Sequence, residues 1–370
     1  MTDPISRGLL PEGFRDRLAP RAAAADRLVR TLCDRITAHG YDLVQPPLAE
    51  FEDSLIGRLS DGGAQDLLRV IDPVSQRTLA IRSDITPQAG RIAATRLAHR
   101  PRPLRLSYAG PVLSVRPPQV GAERERMQIG AELIGHDSVA AAGEILTVAL
   151  EALTAAGCAD LSVDLTLPSL VEELAEADWP VDNLDAVRAA LDGKDHASLI
   201  AAGGAAYAPL IEAAGPAASA IPALRAAGMG AAFDRRLDAA EALTARASGL
   251  ARVTVDPTER RGFEFQTWLG FSLFAGGIAS EIGRGGTYIV RHPGGAEEPA
   301  IGFSLYIDGL VQAGLGRRKT RRIFLPHGTD AGVGTALRAD GWVTVAALSG
   351  SDDAEANACT HIWTGEPAAL

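Results

Sequence analysis

Arg124-Glu125-Arg126-Met127-Gln128-Ile129-Gly130-Ala131-Glu132 is the stretch on which the reading of this chain turns. Its apolar residues fall on alternate positions, which predicts a β-strand over 125–134. Arg126, Gln128, Gly130 and Glu132 then share one face. A row of Gln and Glu on a central strand is unusual, because a buried carboxylate costs several kcal/mol unless it is paired. Two readings fit the pattern: the polar floor of a cavity, or the solvated face of a sheet.

Upstream, residues 104–116 predict a second strand, joined to the first by a loop over 117–124. Residues 67–82 predict two short strands around the turn Asp72-Pro73-Val74-Ser75. The cluster Arg82-Ser83-Asp84-Ile85-Thr86-Pro87 follows a strand and leads into a helix over 87–100, with Pro near its first turn. Leu28, Leu32 and Ile36 recur every four residues and predict a helix over 21–39, ended by Gly40. Tyr41 to Gln45 are extended, and Pro46-Pro47 stops any regular element.

Downstream, a helix is expected over 139–156 and a strand over 161–167. Residues 169–250 turn Ala-rich and helical, with breaks at Gly203-Gly204, Gly215-Pro216 and Gly228 and no convincing strand. Strands return at 251–255, 263–274 and 302–306, the last leading into a helix over 308–313. From about 321 the pattern is a small α/β unit, with a short helix expected between its last two strands. The division predicted is a core of 1–168 plus 251–318, a helical insertion at 169–250, and a C-terminal unit at 319–370. Antiparallel-type strands interleaved with helices indicate an α+β main domain.

Composition narrows the function. The 370 residues are 46% hydrophobic, enough for a sizeable core, and the net charge of −10 argues against broad nucleic-acid binding. Three scattered cysteines form no CxxC pair and give neither a disulfide framework nor a thiolate metal site. The His residues lack metal-ligand spacing, and neither metal nor cofactor is expected. No apolar run is long enough to span a membrane, and the N-terminus has no signal-type core, so the cytoplasm is the expected compartment. HExxH, GxxxxGK[ST] and GxSxG are all missing.

The two polar clusters resemble the core of class II aminoacyl-tRNA synthetases, and histidyl-tRNA synthetase in particular. The segment from Leu10 to Asp16 (LPEGFRD) is similar to that family's N-terminal motif, and Gly40 through Pro46 to its motif 1 segment. Tyr108-Ala109-Gly110-Pro111-Val112-Leu113 leads into a motif 2 analogue. Arg261-Gly262-Phe263-Glu264-Phe265 resembles the histidine-specific Arg-Gly-Leu-Asp-Tyr-Tyr. Gly285-Gly286-Thr287-Tyr288 resembles Gly-Gly-Arg-Tyr, and Gly302-Phe303-Ser304-Leu305 resembles the start of motif 3. The resemblance implies an antiparallel sheet flanked by helices, and a homodimer through the motif 1 region.

On the amino-acid side it implies a histidine-like pocket of Asp84, Thr86, Gln128, Glu132, Arg261 and Tyr288; the family's tyrosine pair is replaced by Phe265 and Gln266. The nucleotide side departs. Adenylation needs cations on the ATP phosphates. The motif 2 Arg falls on Ser114, its partner Glu on Arg116, and the motif 3 Glu-Arg pair on Asp308-Gly309. In place of a full-length tRNA-reading C-terminal domain, only the short unit from about 321 is expected.

That combination resembles one family, the regulatory subunits of short-form ATP phosphoribosyltransferase, as does the run from Arg82 to Ile92. The resemblance implies a non-catalytic chain that assembles with a separate short catalytic subunit in a hetero-octamer. It would be required for the first step of histidine biosynthesis and for feedback by histidine, with neither nucleic acid nor membrane as partner. The alternative is an active amino-acid ligase on the same fold, either a histidyl-tRNA synthetase or an amidating enzyme.

Overall fold

The structure is a computed structural model, and it describes residues 9–56, 67–116, 123–177, 179–260, 262 and 265–370. The chain forms two compact units, Met1–Gly316 and Arg317–Leu370. Its strands are β1 (Asp42–Leu43), β2 (Ala49–Phe51), β3 (Leu68–Ile71), β4 (Thr78–Ile81), β5 (Leu104–Leu113), β6 (Glu125–Ile134), β7 (Ser162–Thr166) and β8 (Gly215–Pro216) in the first half. They continue as β9 (Arg252–Asp256), β10 (Gly270–Phe274), β11 (Gly283–Arg291), β12 (Glu297–Tyr306), β13 (Arg322–Leu325), β14 (Val343–Ala346), β15 (His361–Trp363) and β16 (Pro367–Ala369).

The first unit is built on a nine-stranded sheet of order β1-β5-β6-β12-β11-β10-β7-β9-β8. Its centre is antiparallel, and the β1–β5 and β7–β9 pairs are parallel. This is the α+β arrangement expected from the sequence. The alternation in β6 explains how the sheet is covered. Ile129, Ala131 and Leu133 face a core shared with Leu28, Leu32 and Ile36 of the helix Arg21–Ala38 and with the helix Val139–Ala155. Each such fully buried aliphatic side chain contributes about 1.5–3 kcal/mol. Ser138 caps the second helix, its side chain accepting from Ala141 N. With one face of β6 committed to that core, Arg126, Gln128, Gly130 and Glu132 are left on the other.

Residues 169–250 contribute Val187, Leu191, Leu199, Tyr207, Leu224, Phe233 and Leu237 to the same core. The region is helical, with one departure from expectation: Gly215–Pro216 forms a two-residue strand against β9. Pro216 has no N–H, so the outer edge of the sheet is the place open to it.

Other elements differ from expectation: β2 and β11 are not among the expected strands, and β12 begins at Glu297, five residues before the expected strand. The helix expected to reach residue 100 ends at Ala94, where Thr95 leaves helical geometry and its hydroxyl bonds Arg91 O. The strand expected over 263–274 begins only at Gly270. Ahead of it, the Thr287 hydroxyl accepts from Trp268 N and Leu269 N, while Thr287 N donates to Leu269 O and Thr287 O accepts from Thr267 N, so the pairing there is irregular. Residues 263–264 lie outside the described residues.

The second unit is a four-stranded sheet of order β14-β13-β15-β16 with the helix Ala331–Ala339. Ile323, Leu325, Leu337 and Trp342 form one small core, and Phe324, Ala354 and Cys359 another. The short helix expected before β15 is a run of turns held by Asp352 and Asp353, which bind nearby backbone N–H groups.

Candidate functional site

The site lies on the face of β5, β6, β12 and β11 turned away from the helices Arg21–Ala38 and Val139–Ala155. Glu132 pairs in register with Gly302, Gly130 with Ser304 and Tyr108, and Gln128 with Tyr306 and Gly110. On β11, Gly286 faces Gly302 and Arg284 faces Ser304. Large polar side chains thus alternate with glycines, and the glycines make the room. A Cβ on Gly302 would collide with the Glu132 carboxylate, and one on Gly130 with Tyr108 Oη and Phe303 O.

The resulting cavity has a volume of about 160 Å³. Four of the residues anticipated from sequence, Asp84, Thr86, Glu132 and Tyr288, line it together. Ser304, Tyr306, Phe265 and Gln266 complete the walls. Arg261 lies outside the described residues. Gln128 is 0% exposed and stands behind the wall. Its amide nitrogen donates to Asp84 Oδ1 at 2.6 Å and Ser304 Oγ at 2.7 Å, and its oxygen accepts from Ile85 N at 2.9 Å. It fixes Asp84 in place, and its amide is fully engaged within the protein.

Asp84 also accepts from Thr86 N at 3.0 Å, an Asx-type turn that starts the helix Thr86–Ala94. Upstream in the same cluster, the buried Arg82 guanidinium donates to Pro46 O and Pro111 O and to Gln88 Oε1. The cluster that stood out in the sequence therefore has two parts: Arg82 staples the chain, and Asp84 and Thr86 face the cavity.

At the cavity floor, Glu132 accepts from Tyr108 Oη at 2.9 Å and Tyr288 Oη at 2.7 Å. Tyr108 Oη also meets Thr86 Oγ1 and Ser304 Oγ. Burial pushes the Glu132 carboxyl up to about 8; the two tyrosine hydrogen bonds oppose this, and Asp84 adds to it. The floor is thus an uncharged acid at neutral pH, ready to bind a nitrogen base or to ionise beside a cation. Gln266 adds one acceptor. Its Nε2 donates to Gly285 O at 3.1 Å, while its buried Oε1 has no partner among the described residues. Sequence reading noted Gln266 only as a replaced tyrosine, and nothing in the pattern marked its orientation.

The positions expected on the nucleotide side have a different character. Ser114 N donates to Arg124 O, Ser114 O accepts from Arg124 Nε, and Arg116 is exposed. Gly309 lies close under Ile278 and Ser280, whose atoms would stand 3.3 and 3.4 Å from an added Cβ. Asp308 accepts from Arg17, which also reaches Glu123 at 3.5 Å. Phe14 stacks under the Arg124 guanidinium at 4.9 Å, and Gly13 O accepts from Arg124 N. The N-terminal segment is thereby fastened across this end. The cleft beside it, about 600 Å³, is lined by Arg15, Arg17 and Arg21 against Asp16, Glu123 and Asp308. Its charges balance, which suits a triphosphate poorly.

Among the described residues no group of three or more His, Cys, Asp or Glu is placed to hold a metal ion. No helix among them is long and apolar enough to cross a membrane.

Known proteins agree with this architecture. A family profile described as histidyl-tRNA synthetase matches residues 13–310. A protein of Rhodospirillum centenum named ATP phosphoribosyltransferase regulatory subunit is 44% identical, over 98% of this chain and 97% of its own. A protein of the same name from Paramagnetospirillum magneticum is also 44% identical, over 98% and 97%. Among solved structures, one from Bacillus halodurans, described as an ATP phosphoribosyltransferase regulatory subunit/histidyl-tRNA synthetase, superposes with a TM-score of 0.80 at 24% identity, covering 97% of each chain. A histidyl-tRNA synthetase from Nostoc gives a TM-score of 0.75 at 14% identity, over 96% of this chain and 90% of that one, and so shares the fold. The alternating polar face, the synthetase-type sheet and near-complete coverage of these relatives lead to one conclusion: the chain belongs to the family of ATP phosphoribosyltransferase regulatory subunits, built on the histidyl-tRNA synthetase fold.

Proposed function

We propose that this chain is the non-catalytic regulatory subunit of ATP phosphoribosyltransferase, acting on a separate short catalytic subunit at the first step of histidine biosynthesis. The observation that carries the reading is the contrast within one cleft. A cavity with an acid floor and a fixed Asp84 persists on the amino-acid side. On the other side the positions of the ATP-binding arginines are Ser114 and Gly309. Losing one donor to developing charge costs about 10²–10³ in rate. Without either arginine the chain has no useful adenylation of its own.

The cavity is the proposed seat of feedback histidine. Glu132 would take a ring nitrogen and Asp84 the ammonium, with Thr86 and Tyr288 shaping the walls. Arg261 is proposed to join them, by its match to the synthetase motif. Regulation then requires that histidine favour one state of the assembly by a coupling on the order of 1–3 kcal/mol. Self-association through the motif 1 segment, around β1, and assembly into a hetero-octamer belong to the same proposal.

The test is an assay of phosphoribosyl transfer by the short catalytic subunit, alone and with this chain, across a histidine titration. The expected result is activity that rises on adding the chain and falls with histidine only in its presence. A catalytic subunit that is fully active and histidine-sensitive alone would overturn the proposal.

A further inference from the structure

Among the described residues, the cavity lining offers acceptors for a ring nitrogen and an ammonium, and only an engaged cation for a carboxylate. The cation on its lining, Arg284, is engaged: it forms a two-pronged contact with Glu281 at 2.6 and 3.0 Å and donates to Gly262 O at 3.0 Å. Arg126 is placed differently. It stands on the same face of β6 as Gln128 and Glu132, one step of about 7 Å along the strand beyond Gln128. Its guanidinium lies 4.1 Å from the centre of the Tyr306 ring, and Tyr306 is a wall of the cavity. Arg126 makes neither a hydrogen bond nor an ion pair among the described residues, and its Nε is buried without a partner.

An unpaired buried donor on a cation is costly, and it persists where a ligand supplies the acceptor. Along the face the order is acid (Glu132), fixed carboxylate (Gln128-held Asp84), cation (Arg126). An α-amino acid with a ring nitrogen presents the complementary order: ring N, ammonium, carboxylate.

We infer that Arg126 is a carboxylate-reading residue of this site, placed where the cavity passes Tyr306 into the adjoining cleft that Arg126 lines with Arg17 and Glu123, so that the site selects a whole α-amino acid over the corresponding amine. Guanidinium and carboxylate match in charge and in planar geometry. The inference rests on the amino-acid reading of the cavity given above. It adds a specificity that the cavity lining alone does not provide.

The test uses calorimetric titration of the chain, alone and assembled with its catalytic partner. The ligands are histidine and histamine, the latter lacking only the carboxylate. The unaltered protein should bind histidine more tightly than histamine by about tenfold or more. In Arg126→Met histidine should weaken to the level of histamine, while histamine binding is unchanged. Arg126→Lys, which keeps a cation over Tyr306, should retain part of the difference. Melting curves establish that both variants are folded. A methionine variant that still discriminates, or that weakens both ligands equally, overturns the role of Arg126 and leaves the cavity reading intact. An unaltered protein that binds neither ligand in either form overturns both.

Discussion

At the Glu132 end of the site face, polar groups hold one another around open space. Tyr108 and Tyr288 hold Glu132, Gln128 holds Asp84, and Gly302 and Gly130 leave the room. At the Asp308 end, arginines and carboxylates from the chain itself meet across the cleft, and the N-terminal segment is fastened there by Arg17 and Arg124. The two ends share the same strands, β6 and β12. The difference lies in single side chains, and on the proposed function it would separate recognition of an amino acid from chemistry on a nucleotide within one fold.

Substitutions can break this contrast. The largest effect is expected from Gly302→Ala, which drives a methyl group into the Glu132 carboxylate and should destabilise the chain by about 1–3 kcal/mol. Gly309→Ala at the other end meets only ordinary to tight contacts at 3.3–3.4 Å and should cost well under half as much, by about 0.5 kcal/mol. Denaturant unfolding of the two variants checks the ordering.

Next is the pH profile. The Glu132 carboxyl has its folded value raised to about 8 from an ordinary 4.5. Its contribution is therefore fully present below pH 4.5 and is lost as pH rises through 8, because the unfolded chain releases the proton first. Glu132→Gln should remove that fall from the stability–pH curve. A slope that survives in the variant would place the neutral acid elsewhere.

A smaller effect is expected for Arg17→Ala. It unclasps the partly buried Asp308 and Glu123 and should cost about 1 kcal/mol or less, with no change in histidine affinity. The smallest is the double substitution Ser114→Arg with Gly309→Arg. It places arginines at the two positions that the synthetase resemblance aligns with the motif arginines, yet the tight space under Ile278 and Ser280 and the carboxylates of Asp308 and Glu123 would oppose a nucleotide. Histidine-dependent ATP–pyrophosphate exchange should stay undetectable.

Much of this was legible in the chain. The alternation from Arg126 to Glu132 placed four residues on one face, and the structure resolves its two readings in favour of a cavity wall, with Glu132 1% exposed. Asp84 and Thr86 stood out because a polar cluster after a strand has few structural excuses. The role of Gln128 was not legible. Whether an amide reaches a ligand or a neighbouring carboxylate depends on Ile85 N and Ser304 Oγ, which the fold brings from 43 and 176 residues away. The late start of β10 was hidden for the same reason: the Thr287 hydroxyl that accepts from Trp268 N and Leu269 N comes from another strand. The Arg17 clasp spans 291 residues to Asp308, beyond any local pattern.

On the proposed function, one end of this cleft binds an amino acid and the other binds no nucleotide. Calorimetric titration of the chain with histidine, and separately with ATP, tests it most directly. Saturable heat with histidine and none with ATP is the predicted result. Saturable ATP binding accompanied by histidine adenylation would contradict it.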